Sequence, residues 1–135
     1  MAKVTGLGMA IAVDDSSGTA RTISNSVTTA EWDTPREELD VTGVDKSARE
    51  RLLGLADFTV TFEGTLDTTA TTGAHAVFST VPSTDVLRMV TLTIATKVLA
   101  CESKFFSYAL TREDDGSATW SAEGALGDGS VPVWS

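Results

Sequence analysis

The stretch Asp40-Val-Thr-Gly-Val-Asp-Lys-Ser-Ala-Arg-Glu-Arg-Leu-Leu-Gly-Leu-Ala-Asp-Phe-Thr-Val-Thr-Phe-Glu-Gly-Thr-Leu-Asp67 decides how this chain reads. Its second half alternates, with Phe58, Val60, Phe62 and Leu66 on one parity and Asp57, Thr59, Thr61, Glu63, Thr65 and Asp67 on the other. That period of two describes a strand with one dry and one wet face. The first half is polar, and its Ser47-x-x-Glu50 has capping-box spacing; Leu52 and Leu53 offer an apolar edge and Gly54 a helix stop. One or two helical turns are expected there. A charged loop feeding a two-faced strand implies a module that touches something else through the loop.

Upstream, Leu7 to Val13 is small and apolar, and Asp14-Asp15-Ser16-Ser17-Gly18 makes a turn from residues that bond their own backbone. Arg21 to Ser24 and Val27 to Asp33 read as strands separated by Asn25-Ser26; Thr28, Ala30 and Trp32 share one parity, Val27, Thr29, Glu31 and Asp33 the other. Pro35 lacks an amide donor and ends that ladder. From Pro35 to Ala56 runs a connection of unusual length for a compact domain, of a kind more often functional than idle. It mixes both signs of charge in Arg36, Glu37, Glu38, Asp40, Asp45, Lys46, Arg49, Glu50 and Arg51. A docking arm with complementary ion pairs is the favoured reading; a solvated loop is the alternative.

Downstream, Thr68 to Thr72 is a threonine-rich turn, and Ala74 to Phe78 starts a short helix ending near Pro82. In the next strand Val86, Val90, Leu92 and Ile94 face inward, Arg88 breaks that series, and the outward Leu87 and Met89 imply a covered surface. Val98 to Arg112 is a strand pair or one bent strand, and Glu113-Asp114-Asp115-Gly116 closes a hairpin. In the returning strand Ala118, Trp120, Ala122 and Gly124 oppose Thr119, Ser121 and Glu123. The apolar Val131-Pro132-Val133-Trp134 is expected to pack against this domain or a neighbour.

The bulk numbers fit these parts. A chain of 135 residues, 41% of them hydrophobic, supports one core and one domain, residues 1–135. Ten basic against nineteen acidic residues give a net charge of -9, which works against gripping nucleic-acid phosphates. Cys101 is the lone cysteine and forms no internal disulfide, which suits maturation in a reducing cytoplasm. The stretch from Met1 to Gly6 has no signal-like apolar core, and no apolar run approaches the ~18 residues of a membrane span, so no membrane partner is expected.

Catalytic patterns are missing. There is no glycine-rich phosphate loop, serine elbow or Cys-His nucleophile. His75 is the only histidine, so zinc lacks a ligand set. Asp14-Asp15 and Asp114-Asp115 lack calcium-loop spacing and read as turn residues. Glu31 and Glu63 could be offered as a glycosidase pair, but any β-protein offers such pairs. Neither an enzyme nor a cofactor is expected.

The order of features resembles the tail tube proteins, or major tail proteins, of long-tailed bacteriophages. The residues that carry the resemblance are Ile23-Ser24-Asn25 leading into Val27 to Asp33, then Asp40-Val41-Thr42-Gly43 and the arm. Gly54-Leu55-Ala56-Asp57 with Phe58 to Gly64, and Trp120-Ser121-Ala122-Glu123-Gly124, complete it, so that it covers Ile23 to Gly124. The resemblance implies a mainly β fold, a sandwich or barrel with one short helix and a long inter-strand arm. It implies hexameric rings stacked into a hollow tube in the virion tail, made in the host bacterial cytoplasm and joined to other tail proteins. The arm would lie on an adjacent subunit through Arg36, Glu37, Glu38, Asp40, Asp45, Lys46, Arg49 and Arg51. An acidic lumen would let DNA pass without specific binding, lined by Glu63 and Glu123 and next by Glu31 and Asp33. Alternation assigns these four to a wet face without saying what that face sees, and a solvated outer face is the alternative. A capsid decoration protein, a tail terminator or an immunoglobulin-like binding module would share the two-faced strands and acidic surface. The absence of a clustered aromatic platform weighs against the last.

Overall fold

The computed structural model of the chain describes residues 3–70 and 72–135; Met1 and Ala2 of the amino-terminal stretch and Thr71 of the threonine-rich turn lie outside them. Nine strands and a short helix follow in order: β1 Ala10–Asp14, β2 Ala20–Thr22, β3 Thr29–Asp33, β4 Arg36–Asp40, β5 Arg51–Ala56, β6 Thr59–Thr65, α1 Ala74–Phe78, β7 Arg88–Ile94, β8 Lys97–Arg112 and β9 Ala118–Leu126. Two 3-10 turns, Ser24–Ser26 and Val81–Ser83, bridge loops. Seven strands form one antiparallel sheet in the order β2-β1-β7-β8-β9-β6-β3, while β4 and β5 pair only with each other.

β8 is one continuous strand of 16 residues. Its first half pairs with β7 from Ile94↔Lys97 to Arg88↔Ser103, and its second with β9 from Ser103↔Leu126 to Arg112↔Ala118. A bulge between Phe105 and Ser107 switches the inward parity, from Leu99, Cys101, Ser103 and Phe105 before it to Tyr108 after it. The sheet is thus two halves sharing one strand, and the inward residues of both enclose a single core. Ile11, Val13, Val90 and Leu92 come from one half, Val60, Phe62, Trp120 and Ala122 from the other, and Val77 and Phe78 of α1 lie among them. The expected sandwich or barrel resolves into one sheet that folds back on itself: β1 and β3, five places apart in sheet order, line one groove through Met9, Ile11, Ala30 and Trp32.

Among the described residues no buried side-chain nitrogen or oxygen lacks a hydrogen-bond partner. Arg88, which interrupts its strand's apolar series, is 2% exposed. It donates to the carbonyls of Val77 at 3.0 Å and Asp14 at 3.2 Å and to the Thr80 hydroxyl at 2.9 Å, tying α1 to the end of β1. Burial pulls its guanidinium pKa down, and the nearby Asp15 and Asp14 pull it back up. Ser26 is a second knot: its hydroxyl donates to Asp67 at 2.9 Å and its carbonyl accepts from the Trp120 indole at 3.2 Å. A Cβ on Gly64 would overlap that carbonyl, which is why the strand carries glycine there.

One expectation is corrected. No helical turn follows Ser47; Arg51–Ala56 is a strand, and Gly54 lies inside it. A single helical turn fixes several residues for one hydrogen bond, whereas a strand here gains a ladder and cross-strand pairs. The neighbours dictate the outcome, because β3 and β6 pair directly and antiparallel, so the chain between them must run out and return. The strand expected at Arg21 to Ser24 also shortens to Ala20–Thr22, since Ser24 turns to donate to and accept from the backbone of Ile11.

Candidate functional site: the arm and the acidic face

The arm continues the β3–β6 ribbon. After Asp33↔Thr59, the Asp57 amide donates to the Pro35 carbonyl at 2.9 Å, and pairing resumes at Arg36↔Ala56 and runs on to Asp40↔Arg51. Pro35 therefore interrupts the ladder without ending it. Residues 41–50 form the tip. There the Asp40 carboxylate accepts from the Thr42 hydroxyl at 2.6 Å, the Thr42 amide at 3.0 Å and the Arg49 guanidinium at 2.8 Å. The Thr42 hydroxyl, then its amide, then Arg49 hold the Asp40 carboxyl below the usual carboxylate range.

The other predicted arm residues also find partners within the arm. Arg51 pairs with Glu38, Lys46 with Glu50 at 3.7 Å and Asp45 at 3.9 Å, and Arg36 donates to the Gly54 carbonyl at 2.9 Å. Glu37 lies over Gly54. Most of the arm's charges are paired within the arm; its apolar side chains are not covered. Leu39 and Leu52 stand opposite each other on one face, Leu53 lies on the other, and all three are exposed, as are Val41, Val44 and Leu55. Reading Leu52 and Leu53 as a helix edge concealed this. The available signal was the length of the β3–β6 connection, which only a ribbon can span out and back.

The four acidic residues expected on a wet face do share one. Register places Glu31 beside Thr61 and Thr61 beside Glu123, and sets Glu63 between Thr29 and Ser121 in the next row. Asp33 opens a third row through Thr59 and Ala125 to Lys104. This face points away from the core, and its carboxylates lie among hydroxyls; the one cation in those rows, Lys104, pairs with Asp85 at 2.8 Å.

A third surface lies at the end of the chain. After β9 the chain leaves the ladder at Gly127, loops across Met89 and Glu102, and rejoins β8 at Leu99↔Trp134, where Val98 and Ser135 exchange two backbone hydrogen bonds. The apolar terminus therefore packs on its own domain and covers part of the outward Met89. Val131 and Val133 stay exposed at 65% and 69%.

Among the described residues no group of three or more His, Cys, Asp or Glu is placed to hold a metal ion, and no helix is long and apolar enough to cross a membrane. His75 is half-buried, with Nδ1 3.1 Å from the Tyr108 hydroxyl.

No protein-family model matches the chain, and no curated protein does. Solved structures do. A chain from the tail of an empty gene transfer agent particle, refined with C6 symmetry, superposes with a TM-score of 0.75 at 16% identity, covering 98% of this chain and 99% of that one. A chain of the native gene transfer agent virion gives 0.74 at 14% identity, with 98% and 99% covered. A chain from the sheath/tube terminator of an extracellular contractile injection system gives 0.71 at 8% identity, with 100% and 98% covered. A mainly β chain with one short helix, one antiparallel sheet and a projecting ribbon, matched end to end by these tail and tube structures, has the fold of a phage-like tail tube protein.

Proposed function

We propose that this chain is the repeating structural subunit of a phage-like tail tube. Six copies close a ring, rings stack into a hollow tube joined to other tail proteins, and the arm of each subunit lies on its neighbour. The observation that carries this is the arm itself: a two-stranded ribbon, marginal in water by itself, that exposes six large apolar side chains. A chain with nothing to set against that ribbon leaves its backbone ordering, roughly 1–2 kcal/mol per residue, uncompensated. The C6 symmetry of a matched tail supports six as the closing number. Glu31, Asp33, Glu63 and Glu123 line the lumen, where repetition turns each carboxylate into a circle of like charge that keeps DNA phosphates off the wall. The subunit is a single domain with no catalytic role, is made in the host cytoplasm and acts in the virion tail. The likeness to a sheath/tube terminator supports a second reading, a ring that ends a tube rather than fills it.

Negative-stain images of the purified protein distinguish the outcomes. Stacked tubes are expected, and single rings would favour the terminator. A variant in which residues 36–56 are replaced by a short glycine turn should fold as a monomer, and a chain that is monomeric with its arm intact sinks the proposal. Tubes of Glu63→Lys/Glu123→Lys should retain double-stranded DNA in a manner that salt weakens. Retention no greater than wild type would move these residues off the lumen.

A further inference from the structure

Fourteen large apolar side chains are exposed among the described residues; six lie on the arm, and Leu87, Val131, Val133 and Trp134 belong to the carboxy-terminal loop and the strand entry beside it. We infer that this second patch is the seat of the arm, so that Leu39, Val41 and Leu52 of one copy lie on Val131, Val133 and Trp134 of the next. The inference deepens the ring reading and rests on it.

Placement argues for a lateral contact between copies. The arm pairs with no strand but its own, and Leu39, Val41 and Leu52 on its apolar face are exposed. Its root and the start of the loop lie at one end of the sheet, where the row Asp33–Thr59–Ala125–Lys104 closes the β3–β6–β9–β8 ladder and the Leu126 amide donates to the Phe58 carbonyl at 2.7 Å. The ribbon runs on past that row on one side and β8 runs on past it to the seat at Leu99↔Trp134 on the other, so with the ring axis along the strands a rotation carries the seat of the next copy to the level of this copy's arm. The contact joins two different surfaces and therefore propagates around a ring until the rotation closes.

Charge argues for the same match. The arm holds four basic and five acidic residues, the rest of the chain six and fourteen. Beside the seat, burial and then Asp14 and Asp128 raise the Glu102 carboxyl. An arm close to charge balance meets less repulsion from those acids than the acidic body of the chain would.

The test uses two variants of the full chain, arm-broken Leu39→Asp/Leu52→Asp and seat-broken Val133→Asp/Trp134→Ala. All four side chains are exposed, so both variants should melt within a few degrees of wild type; if either unfolds, Leu52→Ser or Val133→Ser takes its place. By sedimentation each alone should stay at the 14.2 kDa chain mass under conditions where wild type assembles. Mixed in equal amounts they should give a species of twice that mass and nothing larger, because one intact arm meets one intact seat and the series stops. A seat-broken chain that assembles like wild type, or a mixture that stays monomeric, overturns the seat and leaves the ring reading standing. An arm-broken chain that assembles overturns the ring reading's use of the arm.

Discussion

The β3–β6 ribbon and its β4–β5 continuation are one antiparallel strip with two opposite fates. In the inner section Val60 and Phe62 are buried and Trp32 packs against the core. Beyond Pro35 the same pairing geometry continues, yet no residue of the arm is buried and Leu52 is 58% exposed. Strand pairing is available to both sections; what differs is whether anything lies against the apolar face. Backbone hydrogen bonds trade against water nearly evenly, so burial separates a stable section from one whose apolar side chains stay in water.

That contrast can be broken most directly by paired truncations. Phe62→Ala should cost about 3–5 kcal/mol in urea unfolding, since a fully buried ring stacked near Phe105 would leave a cavity. Leu52→Ala should change monomer stability by no more than about 0.5 kcal/mol. A comparable loss at both positions would put the arm inside the core. Arg88→Met comes next, at about 1–3 kcal/mol, because the Val77 and Asp14 carbonyls and the Thr80 hydroxyl lose a buried donor while the volume is kept. A neutral or stabilising result there would show that the core holds α1 by its apolar contacts alone. The smallest effect is a gain. The β7–β8 turn places Ala95 at φ 49° and Thr96 at φ 75°, and Thr96→Gly should stabilise by about 1 kcal/mol through relief of the left-handed β-branched residue. A loss there would mean that the turn's hydroxyl makes a contact worth more than the strain.

The same distinction explains what could be read from residues alone. The inner strands were legible because burial on one face writes a period of two: Phe58 to Leu66 and Ala118 to Gly124 announce their inward sides. α1 was visible from Ala74 to Phe78 for a related reason, its apolar face. The arm carries no such imprint, because its apolar residues meet nothing in this chain, and Leu52-Leu53 between charged neighbours fits a helix edge as well as a strand. The β7–β8 hairpin lacks the Asn-Gly signal that its turn geometry favours, and Ala95-Thr96 adopts it under tertiary constraint. Arg88 was recognised as an exception, but its acceptors come from Asp14, Val77 and Thr80, three separate places in the chain. The carboxylates Glu31, Glu63 and Glu123 were assigned to one face by parity, and strand order then set them in adjoining rows.

β8 pairs with β7 up to Ser103 and with β9 from Ser103 onward, so a single residue belongs to both ladders. The two halves of the sheet can therefore change their mutual angle without shearing either ladder, and the bulge between Phe105 and Ser107 already loosens the strand beside that joint. Resistance to such bending comes through α1: Phe78 is set against Phe105 at 4.9 Å and Trp120 at 5.5 Å between ring centres in one half, and the neighbouring Val77 carbonyl accepts from Arg88 of the other at 3.0 Å. In mechanical terms α1 is a strut between two leaves. Its hold on one leaf is set by ring volume and on the other by a guanidinium, so shortening Phe78 and replacing Arg88 would loosen the same joint from opposite sides while leaving every strand in register.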